Sequence, residues 1–471
     1  MIKNFLSLII LSFNLSTFSQ ETVLTFNNDL KTSSSDIKDV IPVVNTETNE
    51  IAFFVADAKN VYGYKVDANF KVIAKITSEE KSRKYKVLIG SSASKNDSYR
   101  VFLTDKNQNN FAFVNFSFKD GATSLKKFSI GEDEEFIQTV NSKNQFYLIS
   151  GSKLENHLYL YSFDEYGTPI KNDIDISALR FIDYKGKNTN ILSFLITGND
   201  LKKFEENTPN SIELTSEETK MFVRENSIFF TLDHHKMFTQ VLEIDLDTYK
   251  ADSFQFNKPA LGEKAKRTNS YLNGENIFTI AVTKDQFSVE ILDFETGNLI
   301  KEYSANKDDE ITFKNTAIIQ EGGMYDAYRE LGKTNRFLRR ISKGDSGISV
   351  RKVNNQYHVI IGGYIVQKSR GGMMMPFGGI PLGTIGSATV FFNPAQIAFN
   401  SFSNTKTTRI ESLFDENFNH VEGEIKENAF DKMIDFKSNN KGSTVFKYKD
   451  FYIKTEYMSF SKEFIFRKFT D

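Results

Sequence analysis

The chain has 471 residues, 25% of them charged and 39% hydrophobic, with a net charge of −2. That length and balance exclude a dominantly disordered chain and leave room for one large β domain or two to three smaller ones. No basic excess is present to form a nucleic-acid footprint, and acidic and basic residues are too well mixed for a polyanionic tail.

Phe occurs 45 times and Tyr 19 times, while Trp is absent. Phe and Tyr suit pleated, half-buried surfaces, so the skew favours strands. The lack of Trp weighs slightly against a sugar platform, although Tyr can replace indole there. Cys is also absent. Disulfides, thiolate zinc sites and a cysteine nucleophile are therefore excluded, and the fold must hold by packing and sheet hydrogen bonds.

Residues 1–19 carry Lys3, an apolar run from Phe5 to Phe13, and small residues at Thr17 and Ser19. This pattern predicts a secretory signal peptide cut between Ser19 and Gln20. The apolar run is too short for a membrane span, no Cys follows it for lipid attachment, and no later stretch is long enough to cross a bilayer. The expected destination is periplasmic, cell-surface or extracellular.

From Ile51 onward a repeat is visible in the turns. Short polar turns feed apolar strands that start at residues 51, 99, 146, 228, 277, 357 and 451, with steps of 48, 47, 82, 49, 80 and 94. A second set of alternating strands follows and ends at Asp67, Asp120, Asp164, Asp247, Glu295 and Asp415. Asp at such a place bonds nearby backbone amides, so a turn role is expected rather than a ring of catalytic carboxylates. Further strands are read at FKVIAKI, SLKKFSI, PIKNDIDI, NLIKEYS and HVEGEI, the last at residues 420–425.

Three of the six steps lie near the length of a four-stranded propeller blade. The longer ones read as insertions or as degenerate blades. The chain closes on EFIFRKFTD, which lacks an outer strand, and ETVLTF at Glu21–Phe26 supplies one. Pairing the two removes a sheet edge.

At this point the chain resembles exported bacterial β-propeller repeat proteins, by architecture over residues 21–471 and without a subfamily motif. The resemblance implies an all-β propeller of about seven four-stranded blades, with six or eight open, closed by the N-terminal strand. A pair of β-sandwiches is the competing arrangement. The expected organisation is a signal peptide at 1–19 and one propeller domain at 20–471, with insertions near 180–215, 306–342 and 368–386. The stretch GGMYDAYRELGKTNRFLRRIS at 322–342 can hold a short helix.

Chemistry-bearing residues are sparse. His234 and His235 are adjacent, so on a strand they would face opposite ways and could not share a metal. His358 reads as packed. Ser in ISGS (149–152) and GDSGIS (344–349) lacks the GxSxG elbow, and no phosphate-binding loop occurs. No cofactor, metal or catalytic residue is expected.

The most unusual stretch is GGMMMPFGGIPLGTIG, residues 371–386, which is uncharged and holds three of the nine Met. It lengthens a hairpin connection far beyond its usual size, and such loops tend to be functional. It is expected either to plug the channel or cover one propeller face, or to meet a partner or the envelope surface, with Met373, Met374, Met375, Phe377, Ile380 and Leu382 as contacts. Copper(I) binding through thioethers is the weakest reading, because consecutive Met side chains diverge.

The sequence thus favours a secreted or envelope-associated binding or scaffold protein that engages a protein or glycan. No nucleic acid and no transmembrane segment are expected, and peripheral envelope contact stays open. The alternative is a hydrolase or lyase acting on an extracellular polymer at the propeller centre.

Overall fold

The computed structural model describes residues 20–28, 37–94, 96–196, 201–224, 226–261, 265–322, 328–365, 393–401, 406–434, 436 and 442–471. The signal peptide expected at 1–19 lies outside the described residues. So does the loop at 371–386, with Met373, Met374, Met375, Phe377, Ile380 and Leu382.

The sheets follow one another along the chain as seven blades. Blade 1 runs from Asp39–Val44 through Ile51–Ala56 and Val61–Val66 to Val72–Thr77. Blade 2 comprises Val87–Ala93, Ser98–Thr104, Phe111–Ser117 and Ala122–Phe128. Blade 3 comprises Glu134–Ser142, Gln145–Ser152, His157–Phe163 and Pro169–Asp175. Blade 4 comprises Thr219–Arg224, Ser227–Leu232, Phe238–Asp245 and Ala251–Asn257. Blade 5 comprises Arg267–Asn273, Asn276–Val282, Gln286–Asp293 and Leu299–Asn306. Blade 6 is built on Asp345–Val353, Gln356–Ile365 and Lys406–Phe414. Blade 7 is Thr444–Tyr448, Phe451–Met458 and Glu463–Phe469, completed by Gln20–Asn27.

The first strand of blade 1 is buried along nearly its whole length, while its fourth alternates between half-buried and exposed. First strands therefore face the ring axis and fourth strands face solvent. We call the face where the inner strands begin the top, and the opposite face the bottom.

Each of the seven repeat positions read from the turns falls on the second strand of a blade. The long steps are insertions and not lost blades. The hairpins between inner and second strands explain why the turns were so regular. Lys143-Asn144 and Asn354-Asn355 hold φ of 44° and 64°, and 49° and 62°, the positive pair that a tight two-residue hairpin turn needs.

The ring closes as the two termini suggest. Gln20–Asn27 pairs antiparallel with Glu463–Phe469, from Gln20 opposite Phe469 to Asn27 opposite Glu463. Phe26 on this strand packs into a cluster with Phe53, Phe464 and Phe466, which joins blade 7 to blade 1. The Phe excess serves the same purpose elsewhere. Phe102 of blade 2 stacks on Phe146 of blade 3 at 3.8 Å, and Gly90 clears the space for the Phe146 ring.

Two local expectations are corrected. HVEGEI at 420–425 is not an outer strand, and only an isolated bridge joins Phe414 to His420. The edge of Lys406–Phe414 is instead covered by Ile319–Glu321, from the insertion before blade 6. Beyond that short strand, side chains substitute for a ladder: Glu411 N donates to Thr316 Oγ1 at 3.1 Å and Leu413 N to Asn315 Oδ1 at 2.8 Å. The second correction concerns blades 4 and 5. The turn-holding carboxylates there are Asp245 and Asp293, not Asp247 and Glu295, because they accept from the amides two or three residues onward. Asp67, Asp164 and Asp415 do act as expected.

The insertions add helices α1 (Leu192–Leu195), α2 (Ile212–Thr215), α3 (Thr334–Ile341), α4 (Pro394–Ser401) and α5 (Ala429–Ile434). The short helix foreseen within 322–342 is α3. No helix among the described residues is long and apolar enough to cross a membrane.

Candidate ligand clefts beside a filled channel

The channel of a propeller is the natural place for a central site. Here the chain fills it. Lys202–Phe204 adds to the axial edge of blade 4 as a parallel strand, with Lys202 opposite Lys220 and Phe204 opposite Phe222. It runs from top to bottom. Lys203 Nζ reaches across to Thr139 O on the inner strand of blade 3 at 3.0 Å, and burial pulls its ammonium down to about 8.

At the bottom the segment fastens to two more blades. Glu206 Oε1 accepts from Gly274 N at 2.9 Å, and Asn207 Oδ1 accepts from Lys352 N at 2.8 Å. The chain then climbs back. Asn210 Nδ2 donates to the Tyr271 hydroxyl at 3.1 Å, and Ser211 caps α2 while donating to Ser401 Oγ on α4. Helix α4 in turn covers the axial edge of blade 7, where Asn393 Nδ2 donates to Val445 O and Gln396 Oε1 accepts from Val445 N, both at 2.6 Å. The plug is thus Lys202 to Ser216 with α4. The expectation that Gly371–Gly386 plugs the channel or covers a face falls on residues outside the described ones, between Ile365 and Asn393.

Two clefts lie beside this plug. The first, of 470 Å³, opens on the top face where the inner strands of blades 4, 5 and 6 begin. Its floor is a wholly buried charge cluster. Asp233 accepts from Lys220 Nζ at 2.7 Å, with Lys258 Nζ at 2.9 Å. Burial alone would raise the Asp233 carboxyl, but the two ammonium groups outweigh it and hold the carboxyl far below the usual range. Burial pulls Lys258 down despite its partner. Both lysines also donate to backbone carbonyls, Lys220 to Glu217 O and Lys258 to His235 O.

Above the floor stands His234. Its Nε2 lies 2.9 Å from Thr219 Oγ1 and its Nδ1 lies 3.0 Å from Glu218 Oε2, while the ring stacks on Phe194 at 4.5 Å. Hydroxyl, imidazole and carboxylate in line resemble the spacing of a nucleophilic triad. Thr219, however, is only 1% exposed and its hydroxyl also faces Phe194 O. The arrangement orients His234 at the cleft wall. His235 points elsewhere and stacks on Phe238 at 3.9 Å, so the two adjacent His do not converge.

The second cleft, of 480 Å³, lies between blade 6 and the 425–434 segment. Four strands and the last residue of the chain supply a line of charged and polar groups that reaches its wall at His358, Glu411, Arg409 and Glu321. Asp471 accepts from Arg351 Nη1 at 2.8 Å, and Arg351 Nε donates to His358 Nδ1 at 3.2 Å. Arg cannot accept, so His358 Nδ1 is the lone-pair nitrogen and Nε2–H donates to Glu411, 2.7 Å away. Glu411 then accepts from Arg409 Nε at 2.9 Å, and Arg409 also bonds Glu321. Burial pushes the Glu411 carboxyl up, but His358 and Arg409 together bring it down to about 2. His358 is packed, as its place in YHVII suggested, but it is packed into an ion network.

Two of the Ser residues weighed in the sequence are held by hydrogen bonds within the fold. Ser150 donates to Glu134 and Ser346 to Ile341 O. Among the described residues no group of three or more His, Cys, Asp and Glu side chains is placed to hold a metal ion. Sequence reasoning missed the first cleft because Thr219, His234 and Tyr184 are far apart along the chain. The visible signal was Asp183-Tyr184-Lys185-Gly186, a turn that displays an aromatic at a hairpin tip.

No family model matches the chain, and no curated protein sequence matches it either. Among solved structures, the Dos1 propeller is similar at 11% identity over 96% of this chain and 96% of that chain, with a TM-score of 0.35. Prolyl oligopeptidase B from Galerina marginata is similar at 9% identity over 93% of this chain, with a TM-score of 0.32. The dihydro-heme d1 dehydrogenase NirN is similar at 11% identity over 57% of this chain, with a TM-score of 0.27. The match spans 46% of the oligopeptidase and 50% of NirN. At these scores the likenesses carry no argument about function, and the all-β propeller stands on the sheet order itself.

Proposed function

We propose that this chain is a secreted or envelope-associated binding scaffold that engages a protein or glycan partner through its top face. The observation that carries this reading is the filled channel. A polymer-processing site at the ring centre needs an open axis, and Lys202 to Ser216 occupies that axis with hydrogen bonds to five blades. Ile365 and Asn393, the described residues on either side of the uncharged stretch 371–386, lie at the face that holds the first cleft. Its Met375, Phe377, Ile380 and Leu382 are the apolar anchors in this reading.

The test is a paired capture from the native cell envelope. One bait is the chain from Gln20; the other has Gly371–Gly386 replaced by a short Gly-Ser turn and is checked for an unchanged melting temperature. A partner retained only by the intact bait supports the reading. An identical catch with both baits removes the loop as the contact.

A second reading, a hydrolase or lyase acting on an extracellular polymer, has one observation in its favour: the Thr219, His234 and Glu218 line in the first cleft. Turnover of a polymer that is abolished by His234→Gln supports it.

A further inference from the structure

The first cleft has features that a scaffold fold does not require. The two-stranded hairpin of Phe181–Ile182 and Asn188–Thr189 is separate from every blade. Gln240 of blade 4 clips it in place, accepting from Ile182 N at 2.8 Å and donating to Arg180 O at 3.2 Å. The hairpin carries Tyr184 at its tip, 69% exposed and lining the cleft. Lys185 lies 5.1 Å from the centre of its ring. A large aromatic displayed by a dedicated, anchored hairpin is out of keeping with a solvated turn.

The charges around it balance. Glu217, Glu218 and Asp345 line the cleft together with Lys236, Lys266 and Arg267, Arg267 Nε lying 3.7 Å from Asp345, and Asp233 is more than offset from below by Lys220 and Lys258. A strongly charged ligand gains little net attraction from such a rim. A ligand rich in hydroxyl groups gains much, because each hydroxyl both donates and accepts, and carboxylates and ammonium groups supply both roles. A flat phenol face beside them matches the C–H face of a pyranose ring. The volume of 470 Å³ lies in the range of small-ligand sites.

We infer that this cleft binds a neutral saccharide segment, stacked on Tyr184 and hydrogen-bonded by Glu218, Asp345 and Arg267. The inference rests on the binding-scaffold reading and names one partner class for it. A charged peptide is the competing occupant, and the rim charges would then dominate instead of the ring.

The chain from Gln20 is titrated by calorimetry with cellohexaose, maltohexaose, mannohexaose and chitohexaose, and with oligolysine and oligoglutamate as charged probes. At least one neutral hexasaccharide is expected to bind. Tyr184→Ala should weaken that binding about tenfold, and Tyr184→Phe should keep it within about twofold, because stacking needs the ring and not the hydroxyl. Raising the salt should leave the affinity unchanged. Binding of the charged probes alone overturns the inference. So does saccharide binding that Tyr184→Ala leaves intact, or no saccharide binding at millimolar concentration. The envelope capture separates the two readings: a partner lost with the shortened loop while no saccharide binds keeps the scaffold and removes the sugar site.

Discussion

Gly347 rests against the backbone of Ser216, and a Cβ placed on it would fall 2.8 Å from the Ser216 amide nitrogen. The inner strand of blade 6 therefore meets the channel plug at a point where only glycine fits. Ser216 ends α2, whose capping Ser211 also contacts α4. Gly347→Ala must displace backbone and not merely a side chain. The expected loss is about 1–3 kcal/mol, as for overpacking in a tight core. Urea denaturation checks it, and hydrogen exchange should rise selectively over residues 208–216. Unchanged exchange there would mean that the plug is not braced by blade 6.

The buried Lys220, Asp233 and Lys258 cluster makes a second outcome calculable. Asp233→Asn removes the carboxylate that holds the two buried ammonium groups, with side chains 0% exposed. Breaking such a pair costs about 3–5 kcal/mol. The native carboxyl is depressed, so its stabilisation is fully present above the unfolded value of about 3.9 and is lost as pH falls toward the folded value. Stability curves against pH should therefore show an acid limb below about pH 4 in the native chain. That limb should be shallower in Asp233→Asn.

The propeller was legible because its information is local. Five of the seven inner hairpins close over two residues and the other two over four and six, so the turn signal sits beside the strand it feeds. The closing strand was legible for a related reason: a last blade lacking an edge and an apolar segment such as ETVLTF imply each other. The plug was not legible. Its bonds span 64 residues from Lys203 to Thr139 and 145 from Asn207 to Lys352. No periodicity records contacts made by single side chains to distant backbone. The outer edge of blade 6 misled for another reason. HVEGEI alternates like a strand, but Asn315 and Thr316 take the amides of Leu413 and Glu411, and HVEGEI is left with the backbone bond from Val421 N to Leu413 O beside the Phe414 to His420 bridge. At the first cleft, the pairing of Thr219 with Leu232 is what brings His234 beside Glu218. That register depends on the hairpin at Arg224 and Ser227, and residue types alone do not display it.

Ring closure gives the third test. Phe26 stacks on Phe464 at 5.5 Å and meets Phe53 edge-on at 6.3 Å, so the N-terminal strand is held by side chains as well as by its ladder. Phe26→Ala should cost about 3–5 kcal/mol, the range for deleting a buried aromatic. Limited proteolysis should then cut first near residues 20–28. Cleavage that begins elsewhere, at an unchanged melting temperature, would mean that the strand does not latch the ring.

The fourth test concerns His157 on the third strand of blade 3. Its Nδ1 lies 2.7 Å from Asp173 and its Nε2 lies 3.6 Å from Asp175, both on the outer strand. The hydrogen bond to Asp173 is the main reason its pKa is raised above the ordinary value. The sign follows from linkage. A raised folded value means that the stabilisation is fully present below the unfolded value of about 6.5 and is lost as pH rises through the folded value. An NMR titration of the His157 ring should give a midpoint above about 6.5, and Asp173→Asn should lower it. The charge change sits at an exposed cross-strand pair, so the effect on global stability should be small even where the titration shift is clear. A midpoint that Asp173→Asn leaves in place would assign the shift to Asp175 and the surrounding acidic residues instead.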